Sequence, residues 1–153
     1  MNQLWIFLST YSGIKLEVPV VIIALLIAVK LQKSRLFRVA IMMTVFIVFR
    51  LVGEAIKLGV AAPRPCWQVE LPSLIACPDS FAFPSGHALG SMMAAVILGL
   101  IFKKKIVWVI SMITAVLISY SRVATGVHWP VDVIGGGLLG LVFGLLGWRF
   151  YWR

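Results

Sequence analysis

Six ionisable residues of this 153-residue chain stand at the ends of long apolar runs: Lys57, Arg64, His87, Arg122, His128 and Asp132. Burying an unpaired charge in hydrocarbon costs several kcal/mol, so ionisable groups at a membrane edge are functional candidates by default. Three cations, two imidazoles and one carboxylate suit an anion that must also exchange protons or be attacked, and phosphate fits best. Arginine offers a planar fork to phosphate oxygens, lysine a compact charge, and helix N-termini contribute backbone N–H groups. The segment Pro84-Ser85-Gly86-His87 suits that last role, since Ser85 is expected to N-cap the following helix and Gly86 lets a ligand approach the backbone. His128 and Asp132 are four residues apart around Pro130, a residue favoured in a first helical turn. If helical geometry reaches back to His128, the two share a face. A carboxylate on one ring nitrogen fixes the tautomer and leaves the other nitrogen able to attack. His87, from a different helix, is then available to protonate a leaving oxygen.

Each residue alone has a plainer reading. A single interfacial Arg or Lys anchors to headgroups, a single His is a satisfied structural donor, and Asp132 could simply cap its helix. Six such residues at one level are hard to explain as anchors.

The elements that must position them are helices in a membrane. The chain is 61% apolar and 12% charged, with a mean hydropathy of +1.04, which excludes an ordinary soluble domain. A net charge of +9 would suit a nucleic-acid binder, but here the basic residues are separated by long apolar runs, so no nucleic-acid partner is expected. At roughly 20 residues per crossing, the length allows five or six spans and no separate soluble domain. The expected fold is an all-α integral membrane helical bundle, one domain over residues 1–153. Clear runs cover 36–58, 85–102, 106–124 and 130–148, and a shorter fifth, 16–31, spans if Lys15 and Lys30 snorkel. The first fourteen residues are too short to cross and lack a basic leader, so they read as an interfacial helix with Trp5 and Tyr11 at headgroup level.

Lys30, Lys33, Arg35, Arg38, Lys103, Lys104, Lys105, Arg149 and Arg153 all fall on one side of that topology, with no acid among them. The positive-inside rule makes this side cytoplasmic and turns 59–84 and 126–129 outward, so all six chemical residues meet at the outer edge. Cys66 and Cys77 lie in the outward loop, where an oxidising compartment permits a disulfide; free thiols are the alternative, and without nearby His or further Cys a zinc site is not expected. Gly136, Gly140 and Gly144 recur every four residues, a stripe that lets backbones approach and places the last helix at the bundle centre. Arg50, Glu54 and Lys57 share a helix face, and an Arg50–Glu54 pair is expected to steady Lys57 roughly 10 Å away.

Taken together, Lys57-LGVAAP-Arg64-Pro65, Pro84-Ser85-Gly86-His87 and Ser121-Arg122-VATGV-His128-WPV-Asp132 resemble the three-part signature of the type 2 phosphatidic acid phosphatase family. That family shares its site with the vanadium-dependent haloperoxidases, which are soluble, as this chain is not. The motifs run from 57 to 132 in the family's order and spacing. The resemblance implies a phosphatase that uses no metal and no cofactor. His128 would form a phosphohistidine, Asp132 would orient it, and His87 would be the general acid. Lys57, Arg64 and Arg122, with Ser85 and the Gly86 backbone, would hold the phosphoryl oxygens. The family often carries long outer loops or soluble extensions, absent from this sequence, so selectivity is expected from the 59–84 loop, the N-terminal segment and gaps between helices. Trp67, Phe81, Phe83 and Trp129 flank the site as chain contacts or as belt anchors.

The implied reaction is hydrolysis of a lipid phosphate or diphosphate at the outer leaflet of the cytoplasmic membrane. The candidates are undecaprenyl diphosphate, phosphatidylglycerol phosphate, phosphatidic acid and lipid A 1-phosphate. Lipid-to-lipid phosphotransfer, or a carrier that binds without cleaving, are the alternatives. No obligate protein partner is implied.

Overall fold

The computed structural model describes residues 2–11, 23, 36–68 and 73–151, and every regular element among them is helical. Five α-helices follow in order: α1 (Asn2–Tyr11), α2 (Leu36–Val60), α3 (Gly86–Phe102), α4 (Lys105–Ala124) and α5 (Pro130–Tyr151), with a 3-10 turn at Pro65–Trp67. Apart from residue 23, the expected span over 16–31 lies outside the described residues, as do Lys30, Lys33, Arg35 and Arg153.

Among the described residues two helices are long and apolar enough to cross a membrane, Lys105–Ala124 and Pro130–Arg149, and α3 is a shorter apolar helix. At 1.5 Å per residue the 20 residues of α4 reach about 30 Å, the hydrocarbon thickness. Their outer faces carry Ile106, Ile110, Ile113, Val131, Ile134 and Leu138, each more than half exposed. An apolar exterior of this kind is stable against lipid and not against water.

Among the described residues the helix enclosed on most sides is α3, not the glycine-rich α5 that the sequence places at the centre. Ten of the 17 positions of α3 are buried. Its most extensive contact is with α5, and the reason is the glycine stripe. A Cβ on Gly136 would stand 2.5 Å from the Ser85 carbonyl oxygen, one on Gly140 would strike the Leu89 carbonyl, and one on Gly144 would meet Val96 at 2.8 Å. In lipid, where helices gain nothing by hiding apolar surface from each other, this backbone-to-backbone approach and its dispersion contacts hold the pair together. Phe46 of α2 and Phe143 of α5 close the remaining core over Leu89, Met93 and Ile97, and Phe49 stacks on Phe143 at 4.4 Å.

Antiparallel α3 and α4 are joined by a tight turn in which Lys103 adopts φ 53° and donates its N–H to Gly99. Lys103, Lys104 and Lys105 are exposed there, as is Arg149 on α5, at the opposite end of the bundle from Arg64 and His128. The short α1 does not lie alone. Trp5 packs edge-on against Tyr120 of α4, with centroids 5.0 Å apart.

Candidate active site

The turn between α4 and α5 sets the geometry. Thr125 closes α4 by donating its hydroxyl to the Ser121 carbonyl at 2.8 Å, and Gly126 takes φ 75°, a backbone state that glycine tolerates without strain. The chain folds back so that the N–H groups of Val127 and His128 both reach the Arg122 carbonyl, at 3.2 and 3.3 Å. His128 therefore projects inward, buried, from a turn rather than from α5, whose first residue is Pro130. Helical geometry does not reach back to His128 as the spacing suggested, yet the pair still forms: His128 Nδ1 lies 3.4 Å from Asp132 Oδ2. That distance is long for a hydrogen bond. The same carboxylate oxygen accepts the Trp129 N–H at 2.8 Å, so Asp132 caps its helix and faces the imidazole at once.

Arg64 enters from the loop that precedes α3. Its Nε donates to the Ser80 carbonyl at 2.5 Å, Nη2 to Ser80 Oγ at 3.0 Å and to the Phe81 carbonyl at 3.2 Å. Nη1 donates to the Val127 carbonyl at 2.8 Å and lies 3.0 Å from His128 Nε2. An arginine N–H can only donate, so Nε2 is the acceptor and the imidazole proton sits on Nδ1, facing Asp132. The His128 pKa is lowered to about 4, chiefly by burial, with Asp132 opposing the shift and the cations of Arg64 and Arg122 adding to it. Burial also lowers the pKa of Arg64, which the charges of Asp132 and Glu54 partly restore.

The loop that carries Arg64 is fastened at several points. Cys66 and Cys77 form a disulfide, with Cα atoms 5.9 Å apart. The Leu74 N–H donates to the Thr125 carbonyl at 3.0 Å and Ala82 N–H to Ala62 O at 2.8 Å. Trp67 donates to Pro78 O and Trp129 to Pro63 O, both at 3.2 Å, and Trp67 meets Phe81 edge-on. These aromatics pin the loop, and Phe83 lies against Gly135 of α5.

At the start of α3, Ser85 takes the N-cap position but its hydroxyl makes no capping bond, contrary to expectation. Instead the Ser85 N–H donates to the Asp132 carbonyl at 2.9 Å, tying α3 to α5. That leaves Ser85 Oγ fully buried without a protein partner, a state shared by Arg122 Nε and His128 Nδ1. His87 follows, half-buried, in the first turn of α3. From α2, Lys57 is buried and donates to Glu54 at 3.0 Å. The expected Arg50–Glu54 pair is replaced: Glu54 pairs with Lys57, and Arg50 Nη1 donates to the Gly86 carbonyl, because the start of α3 lies against α2 there. Arg122 donates Nη1 to the carbonyl and hydroxyl oxygens of Ser9. Ser9, Thr125 and Ser80 were not singled out from the sequence, and with Thr10 and Tyr11 beside it nothing in the residue pattern distinguishes Ser9.

A buried histidine facing a carboxylate, with Arg64 on its other nitrogen and the charge of Arg122 acting on it, stands at one end of an apolar helical bundle of the kind that crosses a membrane. The chain belongs to the PAP2 superfamily, whose family model matches residues 35–153. It is 38% identical over 141 residues to the undecaprenyl-diphosphatase of Sulfolobus acidocaldarius, covering 92% of this chain and 66% of that protein. With phosphatidylglycerophosphatase B of Bacillus subtilis it shares 32% identity over 111 residues, 67% of this chain and 52% of that one. The chain thus spans just under two thirds of the first relative and about half of the second. Its fold matches the crystal structure of a transmembrane PAP2 type phosphatidylglycerolphosphate phosphatase from Bacillus subtilis with a TM-score of 0.82 and 28% identity, over 97% of this chain and 75% of that one. Aquifex aeolicus LpxE shares the fold, with a TM-score of 0.65 and 22% identity over 96% of this chain and 93% of that one.

Proposed function

We propose that this protein hydrolyses a phosphate monoester or diphosphate on a membrane lipid through a phosphohistidine at His128. The observation that carries the reading is the state of that imidazole: neutral by burial, protonated on Nδ1 towards Asp132, with its Nε2 lone pair directed at Arg64. A phosphoryl oxygen accepts from Arg64 more strongly than an imidazole nitrogen does, because the pair is charged on both sides. On binding, the guanidinium turns to the phosphate and the Nε2 lone pair is released to attack phosphorus. The P–N bond forms as the bond to the lipid oxygen breaks, and His87 gives that oxygen its proton. Water, deprotonated by His87, then attacks phosphorus, breaks the P–N bond and frees inorganic phosphate. Lys57, Arg64 and Arg122 neutralise the transferring group, with Ser85 Oγ and the α3 N-terminus as further donors. This cationic set does the work that a metal ion performs in other phosphatases.

The names of the two relatives favour a polyprenyl diphosphate or phosphatidylglycerol phosphate as substrate. An apolar groove of about 480 Å³ between α4 and α5, lined by Val116, Val123, Pro130, Ile134 and Leu141, begins beside the catalytic turn and suits a hydrocarbon chain. The exposed lysines at the far end of the bundle support a site at the outer leaflet of the cytoplasmic membrane, by the positive-inside rule. Because α1 supplies Ser9 to Arg122, residues 1–153 act as one domain.

The test is release of inorganic phosphate from these lipids in mixed micelles with EDTA present. Release that persists in EDTA and disappears in His128→Ala supports the reading, as does an acid-labile phosphoprotein in wild type only. Metal dependence, or full activity in His128→Ala, would sink it.

A further inference from the structure

We infer that Ser9 is a positioning residue for Arg122, which makes the N-terminal helix a working part of the active site. The inference rests on the phosphatase reading, in which Arg122 holds a phosphoryl oxygen.

Helices in lipid gain nothing by hiding apolar surface from one another, so no hydrophobic drive holds α1 (Asn2–Tyr11) on its neighbour. Its docking on α4 therefore needs specific contacts, and two are present: Trp5 against Tyr120, and Ser9 against the C-terminal turn of α4. Ser9 is 2% exposed although it is polar, while its neighbour Thr10 is exposed. Both its carbonyl and its hydroxyl oxygen accept from Arg122 Nη1. The hydroxyl also meets Thr125 Oγ1 at 3.0 Å.

Donor accounting gives this cluster a direction. Thr125 commits its only hydroxyl proton to the Ser121 carbonyl at 2.8 Å. With the proton there, its oxygen accepts from Ser9, whose own proton is used in that bond, and the Ser9 lone pairs are left for Arg122. The chain runs one way, from guanidinium to Ser9 to Thr125 to the Ser121 carbonyl, and each hydroxyl both donates and accepts. The guanidinium is gripped at Nη1 while its Nε–H, buried without a protein partner, lies on the edge that forms bidentate contacts with an oxyanion. Thr125 is also the residue whose carbonyl takes the Leu74 N–H, so α1 and the disulfide loop are tied to the same turn.

Ser9→Ala removes the hydroxyl acceptor and keeps the helix. A lost hydrogen bond to a charged group then appears as misplacement of Arg122, and kcat/KM for lipid phosphate should fall about ten-fold. Inhibition by orthovanadate, whose oxygens mimic the transferring group, should weaken by a similar factor, as should its protection against thermal unfolding. Ser9→Thr should restore both readouts to within about three-fold, and Thr10→Ala, at an exposed neighbour, should change neither. Thr125→Val breaks the chain one link further by removing the oxygen that meets Ser9, with the sequence of α1 unchanged, and should act in the same direction. In an Arg122→Gln background, Ser9→Ala should cause no further loss, since coupled residues are not additive.

Wild-type levels of turnover and vanadate binding in Ser9→Ala would overturn the inference, as would a full additive loss in the Arg122→Gln background. Failure of the wild type to hydrolyse any lipid phosphate would instead count against the phosphatase reading, and the vanadate protection arm would still decide the link between Ser9 and Arg122.

Discussion

Lowering the pH from 6.5 towards 4 should destabilise the wild-type protein more than a His128→Asn variant. In the folded protein the His128 pKa is lowered to about 4, chiefly by burial, while the unfolded chain carries the ordinary value of 6.5. Between those two values the unfolded state binds a proton that the folded state refuses, so stability rises with pH and falls as pH drops through the window. The loss is about 1.4 kcal/mol per pH unit, and over the whole window about 3 kcal/mol. Above pH 6.5 both states are neutral at this residue and the effect is absent. For a chain of this length such a loss is a fall of about 6–12 °C in midpoint beyond that of the variant. The assay is thermal unfolding of both proteins in the same detergent at half-unit steps from pH 4.5 to 8. Carboxylates titrate in both, so the difference curve isolates the imidazole. Difference curves that stay flat across the window would refute the claim that a neutral histidine is buried here, and with it the account of how the nucleophile is kept unprotonated.

Arg64→Lys keeps the charge but replaces three nitrogens that serve Ser80, Phe81, Val127 and His128 with one, and kcat/KM should fall about 100-fold; a fall under about three-fold would show that the fork is dispensable. Reducing the Cys66–Cys77 disulfide, or replacing both residues with Ser, should cost about 3 kcal/mol by freeing a loop of sequence separation 11, and should raise KM through Arg64; unchanged melting and KM would contradict this. Gly140→Ala should destabilise by about 1–3 kcal/mol, because its Cβ would meet the Leu89 carbonyl, whereas Gly137→Ala, with open space around it, should be tolerated; equal melting temperatures would refute the packing argument.

Much of this arrangement was legible because membrane topology converts sequence position into depth. Charged residues at span ends fall at one face or the other, so Lys57, Arg64, His87, Arg122, His128 and Asp132 were expected at one level; contacts and charge effects join Arg64, Arg122 and Asp132 to His128, while Lys57 meets Glu54. The glycine stripe was legible for a related reason, since spacing by four defines a helix face whatever packs on it. What stayed hidden was the choice of partner among groups equally near in sequence. Glu54 lies four residues from Arg50 and three from Lys57, and both spacings permit a pair. The decision came from the start of α3, whose Gly86 carbonyl takes Arg50 and leaves Glu54 to Lys57. Backbone acceptors were invisible for the same reason: the Ser80 and Phe81 carbonyls that grip Arg64 carry no residue-type signal. The hydroxyl of Ser85 read as a cap from its position, but the Asp132 carbonyl takes the Ser85 backbone N–H and the hydroxyl is buried without a protein partner.

The cations thus serve two ends that a lone histidine could not meet together. A nucleophilic imidazole must be unprotonated, yet a site that attracts a phosphate monoester must be positive. In most proteins these demands conflict only weakly, since histidine is largely neutral at pH 7. Next to a dianionic phosphate they conflict strongly, because the anion would favour the imidazolium. In the proposed mechanism Arg64 and Arg122 resolve the conflict by acting on both groups: they would hold the anion, while their charge, added to burial, disfavours a proton on His128. Removing the charge of either should therefore do more than weaken binding. In Arg122→Gln the destabilisation midpoint described above should move up in pH, towards the ordinary histidine value, while Arg64→Lys, which keeps its charge, should leave that midpoint nearly in place despite its large loss of turnover. The two variants separate charge from geometry, and an unmoved midpoint in Arg122→Gln would show that burial alone sets the protonation state of the nucleophile.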